Sequence, residues 1–277
     1  MKLTVPSLLS CALAALLIGS TAASAATPAF EVQETVSAGT VYTVVSPVMG
    51  MTRKVAVYVP RECSQEERCP TLYLIDGGAE QDLLPTVGLS KLGALSSMYP
   101  AMIVVGIETQ DRRNELTFPT DDAEHRTAFP TLGGSERFRR FIVDEVKPWV
   151  QASFPASEHD LVMGESLAGL FVLETALREP EAFDDYISVS PSMWWDNMGL
   201  ADEARALVPR ITGQHALYLT YADEGGKHAK GTDKIVAVLK SSAPKGLRWT
   251  FRPRVNEAHS TIYHGAALDA VRWVFEN

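Results

Sequence analysis

Residues Leu161–Leu170 read Leu-Val-Met-Gly-Glu-Ser-Leu-Ala-Gly-Leu, and no other stretch of the chain restricts its fold as much. An apolar run stops at Gly164, a serine follows two residues later, and a helical pattern begins behind it. A strand that turns into a helix over so few residues cramps the backbone at the turn, so the flanking positions must carry almost no side chain. Gly164 meets that demand before Ser166. On the other side the usual Gly-x-Ser-x-Gly pattern asks for glycine at 168; the chain has Ala168, the next smallest residue, and then Gly169. The layout predicts a nucleophile elbow with the Ser166 hydroxyl at its tip.

The pattern around the elbow alternates β-rich and helical runs. Strands are predicted at Val41–Ser46, Lys54–Val59, Thr71–Ile75, Met102–Ile107, Asp160–Met163, Tyr186–Val189, Ala216–Tyr221 and Arg248–Arg252. The first two lie close together across a hairpin-like connection, Pro47 to Thr52. Helices are predicted near Ser135–Phe154, Ser166–Arg178, Thr232–Lys240 and Ala266–Phe275. Strand–helix alternation implies parallel strands with right-handed crossovers. Leu72–Ile75 and Met102–Ile107 are apolar throughout, as strands covered by helices on both faces should be. The expected architecture is the α/β-hydrolase plan, a mostly parallel eight-stranded sheet with helices on both faces. Glu115–Gly134 reads as the longest irregular stretch, and such loops often shape a site.

Residues 1–25 read as a cleaved secretory signal: Lys2, the apolar run Leu8 to Ile18, then Ala23-Ser24-Ala25. The apolar run is shorter than the roughly 20 residues that span a bilayer, so no stable membrane insertion is expected. Cys11 within it also permits a lipoprotein reading, although the apolar run continues past the cysteine. Cleavage would remove Lys2, the one charge there, and take the net charge from −9 to −10. That acidic balance, with no basic tract, argues against nucleic acid as a partner. Residues 26–277 then form a single periplasmic or secreted domain. Cys63 and Cys69 bracket a charged loop, and in an oxidising compartment they are expected to form a disulfide. Two sulfurs without a nearby histidine make a poor metal site. No metal or organic cofactor is implied, and no pattern specifies an oligomeric state.

A serine hydroxyl needs a base to take its proton, and this fold supplies its parts in the order serine, acid, histidine. His259 lies between the last strand and the final helix, where the fold delivers its base; His264 is the second choice. His215 precedes a strand, at the wrong end of the sheet, and His228 reads as part of a solvated polar loop. The acid should follow the strand Ala216–Tyr221, and Asp223 and Glu224 both do; the sequence does not separate them. The tetrahedral intermediate needs backbone N–H donors. Leu167 at the helix start is one candidate. Gly77 and Gly78 in the loop after the third strand are the others, with a plain turn as their alternative role. Glu165 reads as a companion of the helix N-terminus rather than a reacting group.

These parts carry a family resemblance. The stretches Leu-Tyr-Leu-Ile-Asp-Gly-Gly (72–78), Val-Gly-Ile-Glu-Thr-Gln-Asp-Arg-Arg-Asn-Glu-Leu-Thr (105–117) and Val-Lys-Pro-Trp-Val (146–150) contribute to it. Gly-Glu-Ser-Leu-Ala-Gly-Leu-Phe (164–171), Ser-Pro-Ser-Met-Trp-Trp-Asp (190–196) and Glu-Ala-His-Ser-Thr-Ile-Tyr (257–263) complete it. From about Thr40 onward the chain resembles the putative-esterase family of α/β hydrolases, which includes siderophore esterases, S-formylglutathione hydrolases and mycolyltransferases. The resemblance implies Ser166 as nucleophile and His259 as base. Asp-Arg-Arg-Asn-Glu-Leu-Thr is most similar to the siderophore-esterase branch, in which that segment lies near the active site.

Two pairs can shape the substrate. Arg112 and Arg113 follow a strand at its carboxyl end, where guanidinium can hold a carboxylate or catecholate; the competing reading pairs them with Asp111, Glu115 or Asp121. Trp194 and Trp195 follow another strand, where one ring can stack on an acyl or aromatic group and at least one belongs to the core. The expectation is a serine carboxylic-ester hydrolase acting on a small-molecule ester through an acyl-enzyme, with siderophore-type esters as candidates. An acyltransferase would use the same triad with an acceptor alcohol in place of water. A non-catalytic binding protein on this fold would leave Ser166 unlabelled by a fluorophosphonate.

Overall fold

The computed structural model describes residues 37–276. The signal-like segment and Cys11 lie outside the described residues. Eight strands build one sheet: β1 (Thr40–Ser46), β2 (Met51–Tyr58), β3 (Cys69–Ile75), β4 (Ile103–Ile107), β5 (Ala156–Glu165), β6 (Asp185–Val189), β7 (His215–Thr220) and β8 (Leu247–Phe251). Their spatial order is β1-β2-β4-β3-β5-β6-β7-β8. β2 runs antiparallel to both β1 and β4, and every later pairing is parallel. This is the α/β-hydrolase arrangement. Its functional consequence is geometric: the parallel strands all end on the same side, so the loops after β3, β4, β5, β6, β7 and β8 open together.

The helices are α1 (Leu83–Ser96), α2 (Arg112–Glu115), α3 (Ala123–Ala128), α4 (Ser135–Arg140), α5 (Lys147–Ser153), α6 (Leu167–Arg178), α7 (Gly199–Leu207), α8 (Gly226–Ser242) and α9 (Ile262–Phe275). Side chains alternate across each strand, so β3 sends Tyr73 and Ile75 to one apolar layer and Leu72 and Leu74 to the other. The first layer packs under Phe138, Phe141, Leu170, Phe171 and Ile235. The second packs under Ile262, Ala266, Ala270 and Val271 of α9. No helix among the described residues is long and apolar enough to cross a membrane.

Two local expectations change, and one helix appears that the sequence pattern did not announce. The predicted helix 135–154 is divided by a π-helical segment, Phe141–Val146, with Pro148 in the first turn of α5; one extra residue per turn keeps Phe141, Ile142 and Val146 buried. The stretch 115–134 is not wholly irregular: Asp122 caps α3 by accepting the N–H groups of Glu124 and His125. α1 has no clear sequence signature, because Pro85, Gly88 and Gly93 interrupt its pattern. Tertiary contacts hold it. Leu83 and Val87 pack on Ala56 and Val104, and the Ser90 hydroxyl donates to the Met102 carbonyl at 2.6 Å. Cys63 and Cys69 are bonded as expected, closing the loop at the entry to β3.

One buried ion pair fixes the segment after β4. Arg53 on β2 is fully buried and meets both Glu115 carboxylate oxygens, with Nη1 to Oε1 at 2.5 Å and Nη2 to Oε2 at 2.9 Å. Arg53 Nη2 also donates to the Glu108 carbonyl at 2.8 Å, and Glu115 accepts the Gln110 N–H at 3.0 Å. The pair therefore anchors α2, the helix on which Arg112 and Arg113 sit. Removing one partner strands a buried charge at a cost of about 3–5 kcal/mol. Glu115→Ala is expected to lower the unfolding free energy by about that amount in urea titration. A loss below 1 kcal/mol would contradict this account.

Candidate active site

The elbow forms between β5 and α6. Ser166 has φ 62° and ψ −120°, a conformation that residues with side chains avoid. Three hydrogen bonds hold it: the Ser166 N–H donates to the Val189 carbonyl at 3.0 Å, and the Ser166 carbonyl accepts the N–H groups of Leu170 at 2.9 Å and Ser192 at 3.0 Å. A Cβ on residue 164 would stand 2.7 Å from the Ala168 side chain, so Gly164 and the small Ala168 are one packing requirement. The Ser166 hydroxyl is half-buried and its side-chain partner is the Ser192 hydroxyl at 3.2 Å.

The acid and histidine candidates separate clearly. Glu224 Oε1 lies 2.9 Å from His259 Nδ1. The neighbouring Asp223 is exposed, and its backbone N–H joins the Glu257 carbonyl at 2.9 Å. His264 is exposed on α9. His215 lies at the start of β7, with its ring nitrogens on the carbonyls of Asp184 and Thr212. His228 corrects the sequence reading. The chain turns through Gly225 and Gly226 into α8, which returns His228 Nδ1 to 2.9 Å from Glu224 Oε2. That nitrogen is sealed from solvent, and its ring is turned off the line of a full hydrogen bond. Two histidines thus share one carboxylate. Ser190, which sequence reasoning passed over as a functional residue, donates its hydroxyl to Glu224 Oε1 as well.

These contacts set the charges. Burial pushes the Glu224 carboxyl up, but the close approach of His228 and the hydrogen bonds with His259 and Ser190 outweigh it and hold the group well below the usual carboxylate range. The Glu224 hydrogen bond raises His259 above its ordinary value against the opposing effect of burial. Glu165 has the reverse environment. Burial pushes its carboxyl up to about 7, against the pull of the nearby His259.

Leu167 opens α6, where a first-turn N–H has no acceptor within the helix. Gly78 donates its N–H to Gln81 Oε1 at 2.9 Å, an acceptor on a side chain. Gly77 departs from the expected donor role, since its N–H is committed to the Ile107 carbonyl at 3.0 Å. Its lack of a side chain serves packing instead: a Cβ there would stand 2.5 Å from Gly106 Cα.

The substrate candidates also part. Arg112 pairs with Asp76, Nε to Oδ2 at 2.6 Å, rather than with Asp111, Glu115 or Asp121. Its outer nitrogens make no hydrogen bond among the described residues. Asp76, which also accepts the Thr109 hydroxyl, is the Arg112 partner that sequence reading missed; only its place beside Gly77 pointed to this end of the sheet. Arg113 is exposed and stacks over the Phe129 ring at 4.0 Å. Trp195 is core, 1% exposed, with Nε1 donating to the Phe118 carbonyl at 3.0 Å. Trp194 is half-buried between Phe129, His125 and His228, with ring centroids 6.2, 5.5 and 6.5 Å away. A separate apolar cavity of about 180 Å³, lined by Tyr42, Val44, Phe141 and Trp149, lies at the β1 edge and contains none of these residues.

A family model described as "Putative esterase" matches residues 46–267. The chain is 32% identical over 227 residues to a ferri-bacillibactin esterase of Bacillus subtilis, covering 74% of this chain and 78% of that protein. It is 33% identical over 150 residues to a siderophore triacetylfusarinine C esterase of Aspergillus fumigatus, covering 50% of this chain; the match spans 49%, about half, of that relative. Among solved structures, the BES protein of Bacillus cereus superposes with a TM-score of 0.78 at 20% identity, covering 91% of this chain and all of that one. An IroE-like serine hydrolase of Shewanella oneidensis gives 0.75 at 21% identity, covering 86% of this chain and 80% of that one. The family match extends over most of the sequence and through every strand from β2 to β8: the chain belongs to the putative-esterase family and is an esterase on the α/β-hydrolase fold.

Proposed function

We propose that this esterase is exported by its N-terminal segment and cleaves siderophore-type esters through an acyl-enzyme on Ser166. The observation that carries the mechanism is the Glu224–His259 hydrogen bond at the same end of the sheet as the strained serine. His259 Nε2 takes the Ser166 proton as Oγ attacks the ester carbonyl. Glu224 holds Nδ1–H and stabilises the imidazolium that forms. The developing oxyanion is held by the Leu167 and Gly78 N–H groups, with the substrate oxygen replacing Gln81 Oε1 at Gly78. His259 then gives its proton to the leaving alkoxide. Water, activated by the same histidine, releases the acid and restores Ser166.

Arg112 and Trp194 contribute the substrate side of the reading. Asp76 fixes Arg112 through Nε alone, which leaves the outer edge of the guanidinium for an anionic or catecholate group. Trp194 offers a half-buried ring to an aromatic one. The named activities of the Bacillus and Aspergillus relatives favour siderophore esters as the class.

Turnover of ferric and iron-free siderophore lactones, compared with short p-nitrophenyl esters, tests the substrate. A higher kcat/KM on the lactones is expected, and good turnover of simple esters with none of lactones would remove the siderophore reading. Ser166→Ala should lower kcat by at least about 10⁴-fold and abolish fluorophosphonate labelling.

The pH profile tests the acid. His259 acts as base only when neutral, so activity rises with pH through its raised value, and the acid limb should fall above the ordinary histidine value. Glu224→Gln removes the charge that favours the imidazolium. Its acid limb should therefore move to lower pH while kcat falls; a limb that stays in place would assign the acid elsewhere.

A further inference from the structure

The Ser190-Pro191-Ser192 turn after β6 takes no part in the chemistry above, yet its two hydroxyls touch both ends of it. The Ser190 hydroxyl donates to Glu224 Oε1, the oxygen that also faces His259 Nδ1. The Ser192 hydroxyl lies 3.2 Å from Ser166 Oγ. Both side chains are buried, each 1% exposed. The turn is itself held firmly. Ser190 has a positive φ of 42°, and its N–H donates to the Thr220 carbonyl at 2.9 Å. The Ser192 N–H joins the Ser166 carbonyl at 3.0 Å, which ties the turn to the elbow.

We propose that Ser190 and Ser192 are positioning residues of a single turn, Ser190 aligning the Glu224 carboxylate on His259 and Ser192 holding the Ser166 hydroxyl. The inference rests on the Ser166–His259–Glu224 reading. Ser166 must give its proton to His259, so in the reacting state its oxygen accepts from Ser192. That bond strengthens as negative charge grows on Oγ. Ser190 acts on the other partner. It shares Oε1 with His259; without its hydroxyl more of the carboxylate charge falls on Nδ1–H, which favours the imidazolium. The charged and titratable groups facing the Glu224–His259 pair are His228 from α8, Glu165 from the end of β5 and Arg112 from α2, with Asp82 beyond Glu165. All of them remain in the variants below.

Ser190→Ala, Ser190→Gly and Ser192→Ala, assayed on a p-nitrophenyl ester with Ser166→Ala in parallel and thermal unfolding recorded for each, test the turn. Glycine suits the positive φ better than serine, so Ser190→Gly keeps the test usable if the alanine variant folds poorly. Both Ser190 variants should move the acid limb of kcat/KM up by about half a pH unit. Ser192→Ala should lower kcat and the rate of fluorophosphonate labelling by about tenfold, with KM little changed and the acid limb in place. Folded variants with wild-type limbs, kcat and labelling rates, beside an inactive Ser166→Ala, would overturn this inference and leave the triad reading standing. A Ser166→Ala enzyme that still hydrolyses the ester would overturn both.

Discussion

The backbone conformation of Ser166 is the constraint on which the rest of the site depends. A positive φ at a residue with a side chain costs about 1–3 kcal/mol, and it persists only where the surroundings over-determine it. Here β5 fixes the approach, α6 fixes the departure, and the β6 exit receives the serine N–H at the Val189 carbonyl. All twelve residues of α6 except Arg178 are buried, so the helix has one packing position against the sheet. Rigid anchors on both sides leave the elbow no room to relax. The same parallel sheet brings the β3, β4, β6, β7 and β8 exits to that end, which is why a serine, a glutamate and a histidine spread over nearly a hundred residues share one location.

Two carboxylates at that end show how environment, not residue type, sets charge. Glu224 is surrounded by donors and stays ionised; Glu165, also half-buried, has no such donors among the described residues, and burial pushes it up to about 7. His259 lies between these influences. The hydrogen bond with Glu224 favours its cation, and the nearby Glu165 adds to that effect as it ionises. Carboxyls at one end of a sheet can thus differ in protonation, and the histidine between them feels both.

Three arginines divide along similar lines. Arg53 is fully buried and acts through Glu115 as an anchor for α2. Arg112, on that helix, is tied to Asp76 through one nitrogen and keeps its outer edge free. Arg113 sits over the Phe129 ring at the surface. The buried ion pair is thus one step removed from the half-exposed Arg112, and the sequence motif that contains both Arg112 and Glu115 mixes an anchor with a guanidinium whose outer edge is open.

The sequence by itself determined the sheet and the elbow, and it put a histidine in the loop before the last helix. Apolar runs of strand length, a glycine before Ser166 and a histidine before the last helix are local signals, and they express local physics: side-chain period, turn sterics and chain order. Each of the eight strands lies where those signals put it, and the cysteine pair closes its loop. Only the tertiary structure separated Glu224 from Asp223, because adjacent residues point in different directions and sequence carries no direction. It also returned His228 to the acid through a glycine turn, showed that Gly77 serves packing rather than donation, and held α1 together despite two glycines and a proline. Those outcomes depend on what lies across space from each residue, as do the Ser190 and Ser192 contacts, in which a short turn from β6 meets both the β5 elbow and the loop after β7.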